Sequence, residues 1–222
     1  MKGLLIVANW KSNKTISEAN TWLEEFKRNY KKRENTEIVL CIPFTILYFV
    51  KNYLKENNLD VKLGAQDVSI FSQGSHTGEV NAEQIKELAD YVLIGHSERK
   101  EAFGETDETL SKKTERAIEA SLTPIFFVQD VDGFIPEGIK IVVYEPPGSI
   151  STVSGGIPDS VDNVSSASEK LRNKGSFEQI LYGASVNPEN VSTFTSLPFI
   201  DGIVSGKASL DPLEFSELIK NA

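Results

Sequence analysis

The chain has 222 residues, room for one large α/β domain or two small ones, with 40% apolar and 25% charged residues as in ordinary globular proteins. No stretch reaches the ~18 apolar residues that a membrane-spanning helix requires. A net charge of −9 argues against nucleic acid or acidic membranes as partners, and salt screens charge beyond roughly 8 Å, so an anionic ligand has to be attracted locally.

The first apolar run, LLIVAN at 4–9, follows a lysine and superficially suggests a signal segment. The run Leu4 to Ala8 is shorter than the roughly 7–15 residues of such a region, and Asn9, Trp10 and Lys11 break it. It reads as a strand. Thr15 to Tyr30 then has helical period, with Ile16, Trp22, Leu23 and Phe26 as its apolar stripe. EIVLCI (37–42) is a second strand and Phe44 to Asn57 a second helix. Cys41 is the only cysteine, which rules out an intrachain disulfide or a thiolate metal cluster and fits a reducing, cytoplasmic setting.

KLGAQD (62–67) is followed by a long segment, Val68 to Val80, of a length usually reserved for function. A short helix around Ala82 to Leu88 leads to YVLIG (91–95). The helix Asp107 to Ser121 precedes PIFFV (124–128). Before IVVYE (141–145) stands only QDVDGFIPEGIK, whose Gly133, Pro136 and Gly138 leave room for a turn or a single helical turn. A helix over Asp159 to Lys174, the strand QILYG (179–183), a helix over Pro188 to Thr195, the strand DGIVSG (201–206) and a helix over Pro212 to Asn221 complete the chain.

Several of these runs are near-continuous in Val, Ile and Leu, as in parallel strands covered on both faces. Eight strands alternating with helices predict an α/β fold, a (β/α)8 barrel with a reduced fifth βα unit, forming one domain over residues 1–222. A doubly wound open sheet is the rival, but eight evenly spaced units favour closure.

Active sites of such barrels lie where the strands end. The residues there are Asn9 and Lys11, Gln66 and Asp67, His96 with Ser97 and Glu98, Glu145, Ser185, and Ser205 with Gly206. Each alone has an ordinary reading: a solvated lysine, a histidine bonded to backbone, a glutamate capping a loop, a helix starting at Ser97. Together they bring a lysine, an imidazole and a carboxylate to one mouth, with backbone N–H groups after strands seven and eight, where such barrels commonly hold phosphate. His76 and His96 are the only histidines and do not fall at a metal-ligand spacing, so no metal is expected.

ANWK (8–11), YVLIGHSER (91–99), YEPP (144–147), YGASV (182–186) and DGIVSG (201–206) occur in one order, and in that order the chain resembles the triosephosphate isomerases over essentially its whole length. The shortened fifth unit, the GSHTGEV loop and EPP in place of the usual EPVW resemble the compact archaeal branch. The resemblance implies an intramolecular aldose–ketose isomerase without a cofactor. Its reaction interconverts glyceraldehyde 3-phosphate and dihydroxyacetone phosphate by proton transfer through an enediolate. Matched by motif, Glu145 would be the base and His96 the electrophile, kept neutral by N–H groups of the helix starting at Ser97. Asn9 would donate to the same oxygens, and Lys11 would sit between oxyanion and phosphate. Glu98 would hold Lys11 or assist proton movement.

A lid over 146–156 would close on the substrate, with Ile150 at its tip. The N–H groups of Ser151, Ser185, Gly206 and Lys207 would grip phosphate. Serine stands at 151 where the family usually has glycine, and Gly155 and Gly156 suggest a soft second hinge. The fifth-strand motif, which in the family often carries cysteine and glutamate, reads FFVQD, so no role transfers to it. The loop IFSQGSHTGEV resembles the family's interlocking loop, with Thr77 at its tip and Ile70 and Phe71 as apolar contacts. That implies at least a homodimer, or a homotetramer. Two other readings stay open: a barrel acting on another phosphorylated ligand, and a phosphosugar-binding barrel without turnover.

Overall fold

The structure is a computed structural model describing residues 3–146 and 158–222. Among these, the strands are β1 (Leu4–Asn9), β2 (Thr36–Ile42), β3 (Lys62–Ala65), β4 (Tyr91–Ile94), β5 (Thr123–Val128), β6 (Ile141–Tyr144), β7 (Gln179–Tyr182) and β8 (Gly202–Ser205). They pair in parallel in chain order, and β1 closes on β8 with Leu5 opposite Gly202 and Ala8 opposite Ser205. The sheet is a closed barrel, not the open sheet that was its rival.

Two apolar clusters follow from the two-residue period of a strand. Leu5 and Val7 belong to one cluster with Val39, Cys41, Phe127 and Val143, which fills the barrel. Ile6 and Ala8 belong to the other, between strands and helices, with Trp22, Phe26 and Phe215. The closing seam is tight: a Cβ at position 202 would stand 1.9 Å from the Leu5 carbonyl oxygen, so only glycine lets β8 meet β1.

The helices are α1 (Ile16–Asn29), α2 (Phe44–Glu56), α3 (Ala82–Lys86), α4 (Ser97–Phe103), α5 (Asp107–Glu119), α6 (Val161–Lys174), α7 (Val191–Thr195) and α8 (Pro212–Asn221). The first starts where sequence dictates: Thr15 and Glu18 form a reciprocal capping box. Its buried face lays Trp22 against Trp10, ring centroids 4.8 Å apart, and stacks Phe26 on Trp22 at 4.7 Å. Phe215 of α8 reaches the same cluster, which ties the last helix to the first.

Residues 129–140 form bends and turns without a helix, the reduced fifth unit expected from Gly133, Pro136 and Gly138. One expectation needs correction. The helix expected from Pro188 begins at Val191, because the Asn187 side chain accepts the N–H groups of Glu189 and Asn190 and holds a turn there. A 3-10 turn at Lys207–Leu210 follows β8 and was not anticipated.

Candidate active site

Asn9 ends β1, and Lys11 two residues later has φ +50°, a left-handed conformation uncommon for a side chain of this size. Its N–H donates to Asn9 Oδ1 at 3.0 Å. The Gln66 amide, just beyond β3, pins the same turn by donating to the Lys11 carbonyl at 2.9 Å and the Cys41 carbonyl at 3.1 Å. Sequence reasoning had noticed Gln66 at a strand end and given it no role. Lys11 Nζ lies 2.6 Å from Glu98 Oε1.

His96 caps α4. Gly95 before it has φ +77°, which glycine adopts without strain and which turns the chain sharply out of β4. The ring's Nδ1 accepts the Glu98 N–H at 3.2 Å. An accepting Nδ1 leaves Nε2 as the ring's donor, and Nε2 faces Glu145 Oε1 at 3.3 Å. The Phe127 ring lies against the imidazole, centroids 4.9 Å apart. Glu145 follows β6, its own N–H bonded to the Val128 carbonyl, and is 2% exposed. Its Oε2 accepts the Ser97 N–H at 3.2 Å and the Gln129 amide at 3.0 Å. Gln129 was missed because FFVQD matched no motif. The rule that found the other residues, a polar group directly after a strand, would have found it.

Next along the barrel mouth, Ser185 after β7 has φ +42°, and its carbonyl accepts the Asn190 amide at 3.1 Å. Ser205 Oγ donates to the Val186 carbonyl and stitches the loops after β7 and β8 together. Gly206 opens the 3-10 turn, with its carbonyl taken by Ser209. A Cβ at 206 would stand 3.5 Å from Lys11 Cε, so the lysine chain runs directly beside it. Asn9, Lys11, His96 and Glu145 line one cavity with Ser185 and Gly206. Glu98 reaches it through Lys11, and Lys207 stands next to it in the chain. The lid beyond Pro146, with Ile150, Ser151, Gly155 and Gly156, lies outside the described residues.

Behind α4 stands a second set of charges. Lys113 Nζ lies 2.5 Å from both Asp67 Oδ1 and Glu105 Oε1. Arg99 reaches Asp67 at 2.7 Å and Glu105 at 2.6 Å. Burial pushes Asp67 above the usual carboxylate value, although both cations oppose it. For Glu105 burial acts in the same upward direction, but its bonds to Lys113 and Arg99 outweigh it and the net shift is downward.

Thr77 is exposed in the loop after β3 and does not line this cavity. The loop's neck is closed by the Ser69 N–H on the Val80 carbonyl and by Ser69 Oγ on Glu79. Phe71, 42% exposed, stacks on His76 at 3.9 Å.

Fold and cavity together place the chain among the (β/α)8-barrel enzymes, whose chemistry sits where the strands end. The family model described as triosephosphate isomerase matches residues 4–133 and 136–222. The triosephosphate isomerase of Endomicrobium trichonymphae is 35% identical over 249 residues, covering 99% of both chains. That of Aquifex aeolicus is 34% identical over 244 residues, covering 97% of this chain and 98% of its own. The crystal structure of triosephosphate isomerase from Bartonella henselae superposes with a TM-score of 0.82 at 25% identity, covering 98% of each chain. The chain belongs to the triosephosphate isomerase family.

Proposed function

We propose that this chain interconverts glyceraldehyde 3-phosphate and dihydroxyacetone phosphate, with Glu145 as the base and His96 as the electrophile. The observation that carries the reading is the 3.3 Å approach of His96 Nε2 to Glu145 Oε1 in the cavity that Lys11 also lines. A carbon-bound proton is weakly acidic, so its removal needs a base at the carbon and donors at the neighbouring oxygen. A small substrate entering between the two groups replaces their contact. Glu145 Oε1 then meets the carbon-bound hydrogen, and Nε2–H meets the oxygen on the adjacent carbon. Taking the proton at one carbon and returning it to the next leaves an enediolate in between, whose charge Asn9, His96 and Lys11 stabilise.

Lys11 supplies the positive charge that the chain lacks overall, held in place by Glu98. The loops after β7 and β8 offer N–H groups of Ser185, Gly206 and Lys207 to the phosphate, and Ser151 of the lid is assigned the same task. The test is a coupled assay with glyceraldehyde 3-phosphate on the purified chain and on Glu145→Gln. The amide keeps the shape and loses the base, so turnover falls by ~10²–10⁴ while a phosphate-bearing analogue still binds. A Gln variant as fast as the parent ends this assignment.

The chain is further proposed to act as a homo-oligomer, with a homodimer as the minimum. The support is the loop that carries Thr77: its neck is held shut and it exposes an aromatic ring, Phe71. Sedimentation of the parent and of Phe71→Asp is the test, and a monomeric parent overturns it. No helix among the described residues is long and apolar enough to cross a membrane.

A further inference from the structure

We infer that Gln129 is a positioning residue for Glu145, with its amide oriented by Lys100. This deepens the reading of Glu145 as the base and rests on it. Lys100 Nζ lies 2.8 Å from Gln129 Oε1. An ammonium can only donate, so the amide oxygen has to face it, and the NH2 end has to face the other way, toward Glu145 Oε2 at 3.0 Å. The flipped amide would set its oxygen against a carboxylate and its NH2 against a cation. The same NH2 lies 3.5 Å from the Gly95 carbonyl, a second acceptor on the same side. A half-buried lysine on α4 thus fixes, through a neutral amide after β5, the direction of a donor aimed at the carboxylate after β6.

The consequence is an asymmetric carboxylate. Both donors, Ser97 N–H and Gln129 Nε2, engage Oε2, and Oε1 is left toward His96 Nε2. With one oxygen held at two points the group cannot spin, so a defined oxygen faces the cavity. The ionisable groups that face Glu145 are His96 and, through Gln129, Lys100 on the α4 side, with Lys11 and its partner Glu98 at the same cavity. Removing Gln129 deletes a neutral donor and leaves all of these charges in place.

Gln129→Met keeps the side-chain length and removes the donor. With glyceraldehyde 3-phosphate, kcat is expected to fall about tenfold with KM within about twofold, since one hydrogen bond to a charged group is lost and no phosphate contact is touched. Lys100→Met frees the amide to flip and lowers kcat in the same way at smaller size, and Lys100→Arg restores the parent kcat. A parent-like kcat in Gln129→Met, or a lower Tm with unchanged kinetics, overturns the inference. If Gln129→Met does not fold, the lysine pair decides: Lys100→Met and Lys100→Arg that both match the parent overturn it. An active Glu145→Gln would remove the base assignment itself. An inactive Glu145→Gln beside a parent-like Gln129→Met removes only the role of Gln129.

Discussion

Two groups of charge meet at α4 and differ in how they are compensated. Behind the helix, Asp67 and Glu105 each touch two full cations, Lys113 and Arg99. In front of it, Glu145 is at least as buried, yet its partners are an imidazole, a backbone N–H and an amide. The first arrangement ties each carboxylate to two cations, although Glu105 Oε2 stays buried without a partner. The second leaves a carboxylate without a guanidinium or ammonium in contact with it. Burial is shared by both; what separates the ion-paired carboxylates from the proposed base is the kind of donor around it. Removing one partner of a buried, paired charge strands the other, which is why the two groups should fail in different ways.

The sharpest break of this comparison is the Glu145→Gln assay, in which catalysis collapses by ~10²–10⁴ and thermal stability stays near that of the parent. Next in size is Lys113→Met. It leaves Asp67 and Glu105 sharing Arg99 alone, and stability is expected to drop by about 3–5 kcal/mol in denaturant titration. The enzyme that remains folded should keep its kcat. A Lys113→Met chain with full stability and lost turnover would mean that the two groups are not separate.

A smaller effect concerns acid. Glu105 titrates below its ordinary value of 4.5 in the folded chain, so its contribution is present above that pH and is lost as pH falls through the depressed value. Asp67, raised by burial, has the opposite sign: it favours the fold while protonated and costs stability as pH rises through its raised value. Glu105→Gln should therefore flatten the loss of stability below pH 4.5, as read by Tm against pH, and Asp67→Asn should leave that limb steep. The smallest effect lies outside both groups. Thr15→Ala removes the α1 cap and should lower stability by about 1 kcal/mol with kinetics unchanged, a baseline against which the other variants are judged.

Much of this arrangement is legible in the chain. Strand positions follow from continuous apolar runs, because both faces of every barrel strand are buried. The start of α1 follows from Thr15 and Glu18, and the missing fifth helix from Gly133, Pro136 and Gly138. Asn9, Lys11, His96, Glu145 and Gly206 were visible as polar or small residues directly after strands, and their motifs named the family. Gln66 and Gln129 were harder. A glutamine at a strand end carries no charge and no motif, and its value depends on which acceptor the neighbouring strands bring beside it. The turn at 187–190 was hidden for a related reason: proline near a helix start is common, and only the Asn187 side chain decided that the chain turns first.

The sequence by itself determined the alternation, the burial of each strand and the residue types available where strands end. Those follow from side-chain chemistry and from two short periods, 2 and 3.6, that act over neighbours in the chain. Only the tertiary structure decided partners: that Arg99 beside Glu98 turns away to Asp67 and Glu105, and that Gln129 points its NH2 at Glu145. Barrel closure sets those distances, and closure depends on the register of all eight strands at once, including the single place where Gly202 lets the last meet the first.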